Sequence, residues 1–498
     1  MSCAARGGWA IILVGLLAAA VPGRAPVAGE LWERRWIELR TPNFVIASAL
    51  SEQDSVKLAQ DMENFRILVG AVSGAGEIDA RVPTRIFVFP SLAAEVGLKG
   101  DYIGYFHQGM RANYAAVRPV PGAPLGETLH HEYVHFLLRN ESDTQYPTWL
   151  DEGLAEFLST LHLRGDRFEY GNVPKNTMAA LAYLVWMDFD ELLEVRNTHK
   201  LSRERRAAFY AQSWALVHYL ANRPGRDFAV DTARYLNAVQ TGTARTAGFT
   251  QAYGEAVDGL GTRIRRYLGS AKYAKGTLHA PFPAASVSVR LMRTEEIASG
   301  IGYLATGAGS LDYARKAYEA ARAANPNDAA TLAGLGDVAM RAREFDAAEA
   351  HYRRAVELEP NSALHLLDLG EYFLRRLREE PAHPMVARWW NEGQGCLQRS
   401  YNLDRGNPET LAQMALLFLY SPQTQALAVS QAELAYRLLP SSPEINIVTA
   451  QVYAANGRKQ EARRKLVRVL SWFEESNTGS AAALLEALDR DAPPDAHP

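Results

Sequence analysis

The chain has 498 residues, of which 48% are apolar and 22% charged, and its formal net charge is −3. These values are typical of a folded protein of about three domains, and they exclude a disordered chain. Basic and acidic residues number 53 and 56 and form no long run of one sign, so nucleic acid and anionic membranes are not expected partners. Of the two cysteines, Cys3 lies in a segment expected to be removed. Cys396 then remains alone, which excludes a disulfide framework.

Residues 1–28 have the pattern of a signal peptide. Arg6 precedes an apolar run of 13 residues from Trp9 to Val21, which is too short for an ordinary membrane span. Small residues that suit cleavage follow this run. We therefore expect an exported protein, periplasmic or secreted, with no membrane span in the mature chain. The alternative is an uncleaved segment that anchors the protein in a membrane.

Residues 35–120 alternate between strand-like and helix-like patterns and predict the mixed α/β part of one domain. A helix is expected from Ser51 to about Val72. Strands are predicted at 36–39, 43–47, 84–89 and 114–117. The last of these is expected either to be an edge strand that pairs with an extended substrate or to be an ordinary sheet strand. Residues 121–275 are predicted to be the mostly helical part of the same domain, with an insertion at 160–205.

The most informative motif is His131-Glu132-Tyr133-Val134-His135. Residues four apart on an α-helix share a face, so His131 and His135 are expected to direct their rings to one point. Glu132 then lies beside them, close enough to take a proton from a metal-bound water but turned away from the ligands. Apolar neighbours predict a buried helix, which does not carry such polar groups without a partner. The motif predicts a site for one zinc ion, with ordinary core or surface histidines as the alternative.

A second acidic helix is predicted to begin after Pro147. Thr148 is the expected N-cap of this helix, and Asp151 is its expected capping-box partner. The connection from the first motif, through residues 141–143, is long enough for the two helices to run antiparallel.

Two carboxylates on this helix complete the predicted site. Glu152 and Glu156 lie one turn apart on one face. We expect Glu152 to be the third zinc ligand, which leaves the fourth position open for water. We expect Glu156 to accept the outer N–H of a ligand histidine, His131. Gly153 has no side chain and is expected to let the two helices pack closely at the metal.

The segment HEYVH followed by WLDEGLAEF resembles the gluzincin metallopeptidases, and more closely the peptidase-MA-like bacterial proteins. In that family the third ligand lies in a W-x-x-E-G-x-A-E segment. The resemblance covers about residues 35–270. It implies a zincin-like α+β catalytic domain in which His131, His135 and Glu152 bind one zinc ion and Glu132 is the general base. No G-x-M-E-N exopeptidase motif lies upstream, so the choice between endopeptidase and exopeptidase stays open.

A later helix, predicted at 209–220, carries a further candidate. Gluzincins often use a tyrosine on such a helix to stabilise the oxyanion, and Tyr210 is the candidate by its position in the Y-A-Q-S-W segment. A core or interface tyrosine is the alternative. His218 on this helix and His130 beside the zinc motif are predicted to be structural.

Residues 291–475 contain a repeat. Pro326 and Pro360 are 34 residues apart, and the same spacing aligns further positions: Gly302 with Gly336, Ala314 with Ala348, Tyr318 with Tyr352 and Ala321 with Ala355. This is the period and pattern of the tetratricopeptide repeat. Two units are clear and three are degenerate, the third with an insertion near 379–390. The pattern predicts an all-α tetratricopeptide-repeat solenoid, preceded by a linker at 276–290 and followed by a disordered tail at 489–498.

Two functions are compatible with this organisation. The first is a zinc-dependent peptidase that acts on a peptide or protein substrate and whose helical repeats recruit a substrate or partner protein. The alternative is a repeat-based interaction or scaffold protein with a structural or inactive zinc domain. A structural zinc site needs a fourth protein ligand, and none is evident in the sequence.

Overall fold

The computed structural model describes residues 12–14, 29–73, 82–91, 93–98, 104–119, 125–140, 146–160, 162–164, 167–174, 176–270, 276–279, 286–472 and 475–490. These residues form an N-terminal α+β part that contains a mixed sheet and a C-terminal array of paired helices. The predicted division into an α+β part and a helical solenoid is confirmed at this level.

The described residues contain ten strands: β1 (Ile12–Val14), β2 (Ile37–Arg40), β3 (Phe44–Ser48), β4 (Thr84–Val88), β5 (Gly104–Gln108), β6 (Asn113–Val117), β7 (His162–Arg164), β8 (Arg167–Tyr170), β9 (Gly276–His279) and β10 (Ser288–Leu291). Seven form the main sheet in the order β1-β5-β6-β4-β3-β2-β10. The central strands β3, β4 and β6 pair in parallel, whereas the outer pairs are antiparallel. The central strands are mostly buried, as parallel strands covered on both faces are.

Four strands were predicted, and β2, β3, β4 and β6 each lie within a residue or two of the predicted bounds. The sequence did not predict β5, and this omission matters for β6. Because β6 pairs with β4 on one side and β5 on the other, its backbone is not available to a substrate. The edge-strand alternative for 114–117 was therefore wrong. Strand β1 pairs with β5 and lies within predicted signal peptide 1–28, whose other residues are outside the described ranges.

Helices α1 (Glu52–Ser73) and α2 (Leu125–Asn140) pack on one face of the sheet. They bury apolar side chains in the same core as β3, including Phe44, Ile46, Phe65, Leu68 and Phe136. Each side chain of this size contributes about 1.5–3 kcal/mol when it is withdrawn from water. The helix predicted from Ser51 is α1, and the motif from His131 to His135 lies on α2.

The rest of the N-terminal part is mostly helical, as predicted for 121–275. Its helices are α3 (Thr148–Ser159), α4 (Thr177–Tyr183), α5 (Phe189–Glu194), α6 (Arg203–Ala221), α7 (Phe228–Gln240), α8 (Arg245–Tyr253) and α9 (Leu260–Gly269). The insertion at 160–205 contains the antiparallel pair β7–β8 and two short helices. Strand β9 adds to β8 and completes a small three-stranded sheet.

The array consists of consecutive helices: α10 (Thr294–Gly307), α11 (Leu311–Ala324), α12 (Ala329–Arg341), α13 (Phe345–Leu358), α14 (Ala363–Glu379), α15 (Val386–Leu403), α16 (Pro408–Phe418), α17 (Gln425–Leu438), α18 (Pro443–Ala455), α19 (Lys459–Trp472) and α20 (Glu475–Arg490). Helices α10 to α19 pack as five antiparallel pairs, which correspond to the two clear and three degenerate predicted units. The insertion near 379–390 lengthens α14 and α15 to 17 and 18 residues.

The aligned glycines let the two helices of a pair approach closely. A Cβ atom on Gly302 would lie 2.8 Å from a ring carbon of Tyr318, and one on Gly336 would lie 2.6 Å from a ring carbon of Tyr352. The tyrosine ring fills the space that the missing side chain leaves. The predicted repeat chemistry is thus present in the packing.

The first repeat covers the second face of the main sheet. Phe87, Phe89 and Tyr105 of the sheet lie in one buried cluster with Ile297 and Ile301 of α10. The array is therefore joined to the N-terminal part through a shared core.

Two strands begin within the predicted linker 276–290, and the first two residues of the predicted tail 489–498 lie in a helix, whereas 491–498 are outside the described ranges. Strand β10 pairs with β2 and β9 pairs with β8, so the chain adds to two sheets as it crosses to the array, whereas Pro281 and Pro283 lie outside the described ranges. Helix α20 continues to Arg490 because it buries Leu488 against α19, and Asp489 forms an ion pair with Arg463. Within the residues that the structure describes, no helix has the length and apolar character that crossing a membrane requires.

Candidate metal centre

Helix α2 directs the two motif histidines toward α3. Its apolar residues Val134, Phe136 and Leu137 are buried in the main core, so the polar positions His131 and His135 face the neighbouring helix instead.

The adjacent His130 turns the other way, as predicted. Its ring stacks on Phe65 with 3.9 Å between centroids, and its Nε2 lies 3.1 Å from the Asp61 carboxylate. His130 is therefore a structural residue that joins α2 to α1.

Helix α3 begins one residue earlier than predicted. Its N-cap residue is Pro147, and Thr148 is the first residue of the helix, without a side-chain cap. The expected roles of Thr148 as N-cap and of Asp151 as capping partner were therefore wrong. Asp151 instead turns to the first motif, where its Oδ1 lies 2.9 Å from Nδ1 of His135. A buried imidazole offers a stronger, charge-assisted hydrogen bond than a backbone N–H at the helix start.

Trp149 anchors the start of α3. Its indole is fully buried against the rings of Tyr235, Phe249 and Tyr253 on α7 and α8. Its Nε1–H donates to the Tyr235 hydroxyl at 3.2 Å. The tryptophan of the W-x-x-E-G segment thus positions the helix turn that carries the acidic residues.

Three side-chain atoms form an equilateral triangle between α2 and α3. Nε2 of His131 and Nε2 of His135 are 3.3 Å apart, and each lies 3.3 Å from Oε2 of Glu152. Zinc–ligand bonds of about 2.0–2.1 Å in a tetrahedron separate neighbouring ligand atoms by about 3.3–3.4 Å. The triangle therefore has the dimensions of one face of a zinc coordination tetrahedron, and the residues fit the ion.

The pKa shifts in this cluster indicate how strongly its members interact. Burial lowers the pKa of His135, but the Asp151 and Glu152 carboxylates outweigh burial and raise that pKa to about 10. Burial raises the pKa of Glu152, but the two imidazoles outweigh it and lower that pKa to about 2. Oε2 of Glu152 is buried and accepts no hydrogen bond of good geometry from the described residues.

Glu156 lies one turn beyond Glu152 and faces the other nitrogen of His131. Its Oε1 is 3.6 Å from Nδ1 of His131, an ion-pair distance that is longer than a hydrogen bond. Burial raises the pKa of the Glu156 carboxyl. The structure thus gives each histidine its own carboxylate, with Asp151 at His135 and Glu156 at His131. The sequence predicted that Glu156 accepts the outer N–H of His131, whereas the structure shows the longer ion-pair distance, and the sequence missed Asp151.

Glu132 and Tyr210 lie near the cluster. Glu132 is buried, and its charge acts on both His131 and Tyr210. The Tyr210 ring meets the His131 ring edge-on at 6.5 Å, and its hydroxyl lies 3.5 Å from Oγ1 of Thr198. Burial, with Glu152 adding to it, raises the pKa of Tyr210 well above its usual value, so the phenol stays protonated at neutral pH.

Two further residues of the predicted site have structural roles. A Cβ atom on Gly153 would lie 2.6 Å from Val217 and 2.7 Å from the backbone oxygen of Ser213, so this glycine lets α3 approach α6. The expectation that Gly153 lets α3 pack closely against α2 was wrong, because Gly153 faces α6. His218 interacts with the Tyr267 hydroxyl at 2.7 Å and with the Gly171 carbonyl at 2.9 Å, so it is a satisfied core histidine as predicted.

Two family models match parts of the chain. One is described as "Protein of unknown function (DUF1570)" and matches residues 127–239, which include the triangle. The other is the tetratricopeptide repeat, which matches residues 300–363 and 334–380. No curated protein matches the chain. The C-terminal part is therefore a tetratricopeptide-repeat array, and repeats of this kind indicate that the protein binds a protein partner.

Several solved structures are similar to part of the chain at low identity. TTC0263, a thermophilic tetratricopeptide-repeat protein of Thermus thermophilus, is 17% identical, with 39% of this chain and 99% of that one covered and a TM-score of 0.36. The Pseudomonas aeruginosa protein pilF is 16% identical, with coverages of 40% and 93% and a TM-score of 0.31. MamA of Desulfovibrio magneticus is 13% identical, with coverages of 40% and 97% and a TM-score of 0.28. Such similarity indicates nothing about activity.

Proposed function

We propose that the N-terminal domain is a zinc-dependent peptidase of the gluzincin type and that the array recruits its substrate or a partner protein. The observation that carries the hydrolytic part is the triangle of His131, His135 and Glu152, whose edges are all 3.3 Å. Three protein ligands leave the fourth position to water, as in catalytic zinc sites. An export signal at 1–28 would place this activity in the periplasm or outside the cell.

The proposal assigns a part in peptide hydrolysis to each neighbouring side chain. A zinc ion held by the triangle would lower the pKa of its water to about 7 and polarise the substrate carbonyl. Glu132 takes the proton of the attacking water and passes it to the leaving amine. Tyr210 donates its protonated hydroxyl to the developing oxyanion. Asp151, and at longer range Glu156, would orient the two imidazoles so that each Nε2 could bind the ion.

A second candidate is a scaffold protein whose zinc domain does not turn over substrate. The family comparisons favour the interaction role, because the tetratricopeptide-repeat model matches directly and the model over 127–239 carries no assigned function. The two candidates share the array and differ only in whether the triangle supports catalysis.

The test combines metal analysis with cleavage of a mixed peptide library. Wild type is compared with Glu132→Gln and with Glu204→Gln, a matched change at an exposed position. The peptidase proposal expects one zinc per chain in all three proteins and cleavage by wild type and Glu204→Gln only. Zinc in all three without cleavage would favour the scaffold. Wild type without bound zinc would refute both the metal centre and the hydrolytic function.

A further inference from the structure

The turn between β5 and β6 inserts two side chains of the N-terminal part into the array. Met110 packs against the second buried cluster of the array, and Arg111 extends beside it. Nη1 of Arg111 lies 2.6 Å from Oδ1 of Asp368, and its Nε lies 2.5 Å from Oε2 of Glu409. Its Nη2 is 3.6 Å from Oε2 of Glu371. One guanidinium from the sheet is thus surrounded by three carboxylates of the array.

These carboxylates line the inner surface of the array. The first helices of successive repeats, α10, α12, α14, α16 and α18, contact one another along its length, whereas the second helices of the pairs do not approach each other in the same way. Helices that approach more closely lie on the inside of a solenoid, which is the surface that such proteins use for binding.

The inner surface carries five carboxylates, and basic side chains face them: Arg111, and His365, whose Nδ1 lies 3.7 Å from Oδ2 of Asp368. We define the acidic groove as five carboxylates on four successive first helices: Asp337, Asp368, Glu371, Glu409 and Glu444. Burial, with Glu409 adding to it, raises the pKa of Glu371 to about 7. The Glu371 side chain is nevertheless 45% exposed, so a ligand can reach it from solvent.

Arginine is the side chain that this groove accepts. Its planar guanidinium presents several N–H donors in a fixed geometry and can pair with more than one carboxylate at once. The lysine ammonium is a compact point charge without this geometry. Arg111 demonstrates such a fit, because three of its nitrogens each face a different carboxylate. The occupant comes from a half-buried turn between two strands, and a turn is displaced more readily than a strand or helix of the core.

We propose that the acidic groove is the partner-binding surface of the array, that it takes an arginine-bearing segment of a partner protein, and that Arg111 is an internal ligand which this segment displaces. The inference rests on the partner-binding part of the proposed function and is independent of the hydrolytic part.

The first test measures binding of labelled ten-residue peptides to the full-length protein by fluorescence anisotropy. The probes alternate serine with arginine, lysine or glutamate. We expect the arginine peptide to bind wild type more tightly than the other two. Arg111→Ala should bind it at least about fivefold tighter than wild type, because the internal competitor is gone. The matched control Arg354→Ala removes an exposed cation from α13, outside the groove. Equal affinities for the two variants would overturn the role of Arg111.

The second test removes the acceptors. Glu371→Gln combined with Glu409→Gln should weaken binding of the arginine peptide at least about tenfold, since two charge-assisted contacts are lost. Glu319→Gln combined with Glu357→Gln makes the same charge change on the second helices and should leave binding unchanged. An equal loss of peptide affinity in the two double variants would show that the peptide is attracted by the overall negative charge of the protein, and it would overturn the proposal.

Hydrogen exchange on the wild-type protein gives a result that needs no variant. Saturating arginine peptide should accelerate amide exchange in the Gly109–Ala112 turn, whose Gly109 N–H donates to the Ala112 carbonyl at 3.2 Å. Binding without a change in this turn would refute displacement of Arg111. Binding of the glutamate peptide alone would refute the basic partner while leaving a partner-binding array. These outcomes do not depend on zinc or on peptide cleavage.

Discussion

The Asp151 carboxylate lies 2.9 Å from Nδ1 of His135, on the side of the imidazole opposite the nitrogen that belongs to the triangle. A carboxylate that accepts the Nδ1–H leaves the lone pair on Nε2, which is the form that binds a metal. Asp151 precedes Glu152 in the chain, so one turn of α3 supplies both a ligand and the group that orients a ligand.

This relationship predicts that Asp151→Asn weakens zinc binding. A neutral amide accepts the Nδ1–H less strongly, and the loss of such a partner reduces metal affinity about 10–100-fold. Competition with a zinc-sensitive chelating dye measures the affinity. Glu156→Gln is the matched control, with a smaller expected loss because Glu156 is 3.6 Å from His131. An Asp151→Asn affinity equal to that of wild type would contradict the orienting role.

Replacing Gly153 should destabilise the N-terminal domain. In Gly153→Ala the new methyl group would meet the Ser213 backbone oxygen at 2.7 Å, and backbone cannot move aside cheaply. Overpacking of this kind costs about 1–3 kcal/mol. Gly395→Ala is the control, since nothing lies within 4 Å of its added Cβ and alanine favours a helix. Thermal unfolding should show a lower Tm for the first variant alone, and equal Tm values would refute the close contact of α3 with α6.

Tyr210→Phe should lower turnover while the zinc content stays unchanged. Removing one oxyanion donor typically costs about 100-fold or more in kcat. Tyr219→Phe on the same helix is the control, because the Tyr219 hydroxyl donates to Glu255 at 2.9 Å, away from the triangle. Peptide cleavage kinetics with metal analysis measures both quantities. Equal kcat values in the two variants would return Tyr210 to a structural role.

Deleting the array should expose the sheet face that α10 covers. Phe87, Phe89 and Tyr105 would lose their cover, at about 1.5–3 kcal/mol for each side chain. We expect a protein of residues 29–285 to aggregate or to bind a hydrophobic dye, whereas one of residues 29–404, which keeps three repeat pairs, stays soluble. Gel filtration and dye fluorescence compare the two. A soluble, dye-free 29–285 protein would show that the sheet does not depend on the array.

Short-range periodicity carried most of what the sequence predicted correctly. The four-residue spacing of His131 and His135 places both side chains on one face of a helix. The 34-residue period of Gly302 and Gly336 indicates stacked pairs of helices. Both patterns are local, so they do not depend on where distant elements pack.

Features that depend on distant contacts were missed or misassigned. Asp151 has the spacing of a capping residue, and only the approach of α2 provides His135 as a better partner. Gly153 was assigned to the wrong neighbour because the sequence does not show that α6 packs against α3. Polar and apolar residues alternate only weakly in β5, and β10 follows a proline-rich segment that is typical of a linker. Only their pairing with β6 and β2 identifies them as strands.

The core shared by the sheet and the first repeat also fixes the distance between the array and the triangle. A tethered module on a flexible connection samples a wide volume, and its effective concentration at the cleft falls as the connection lengthens. Here α10 is packed directly on the sheet, so a partner bound by the array would stay at a fixed distance and orientation from the triangle of His131, His135 and Glu152. If the triangle is catalytic, the number of residues between the segment bound by the array and a given peptide bond would decide whether that bond reaches the triangle.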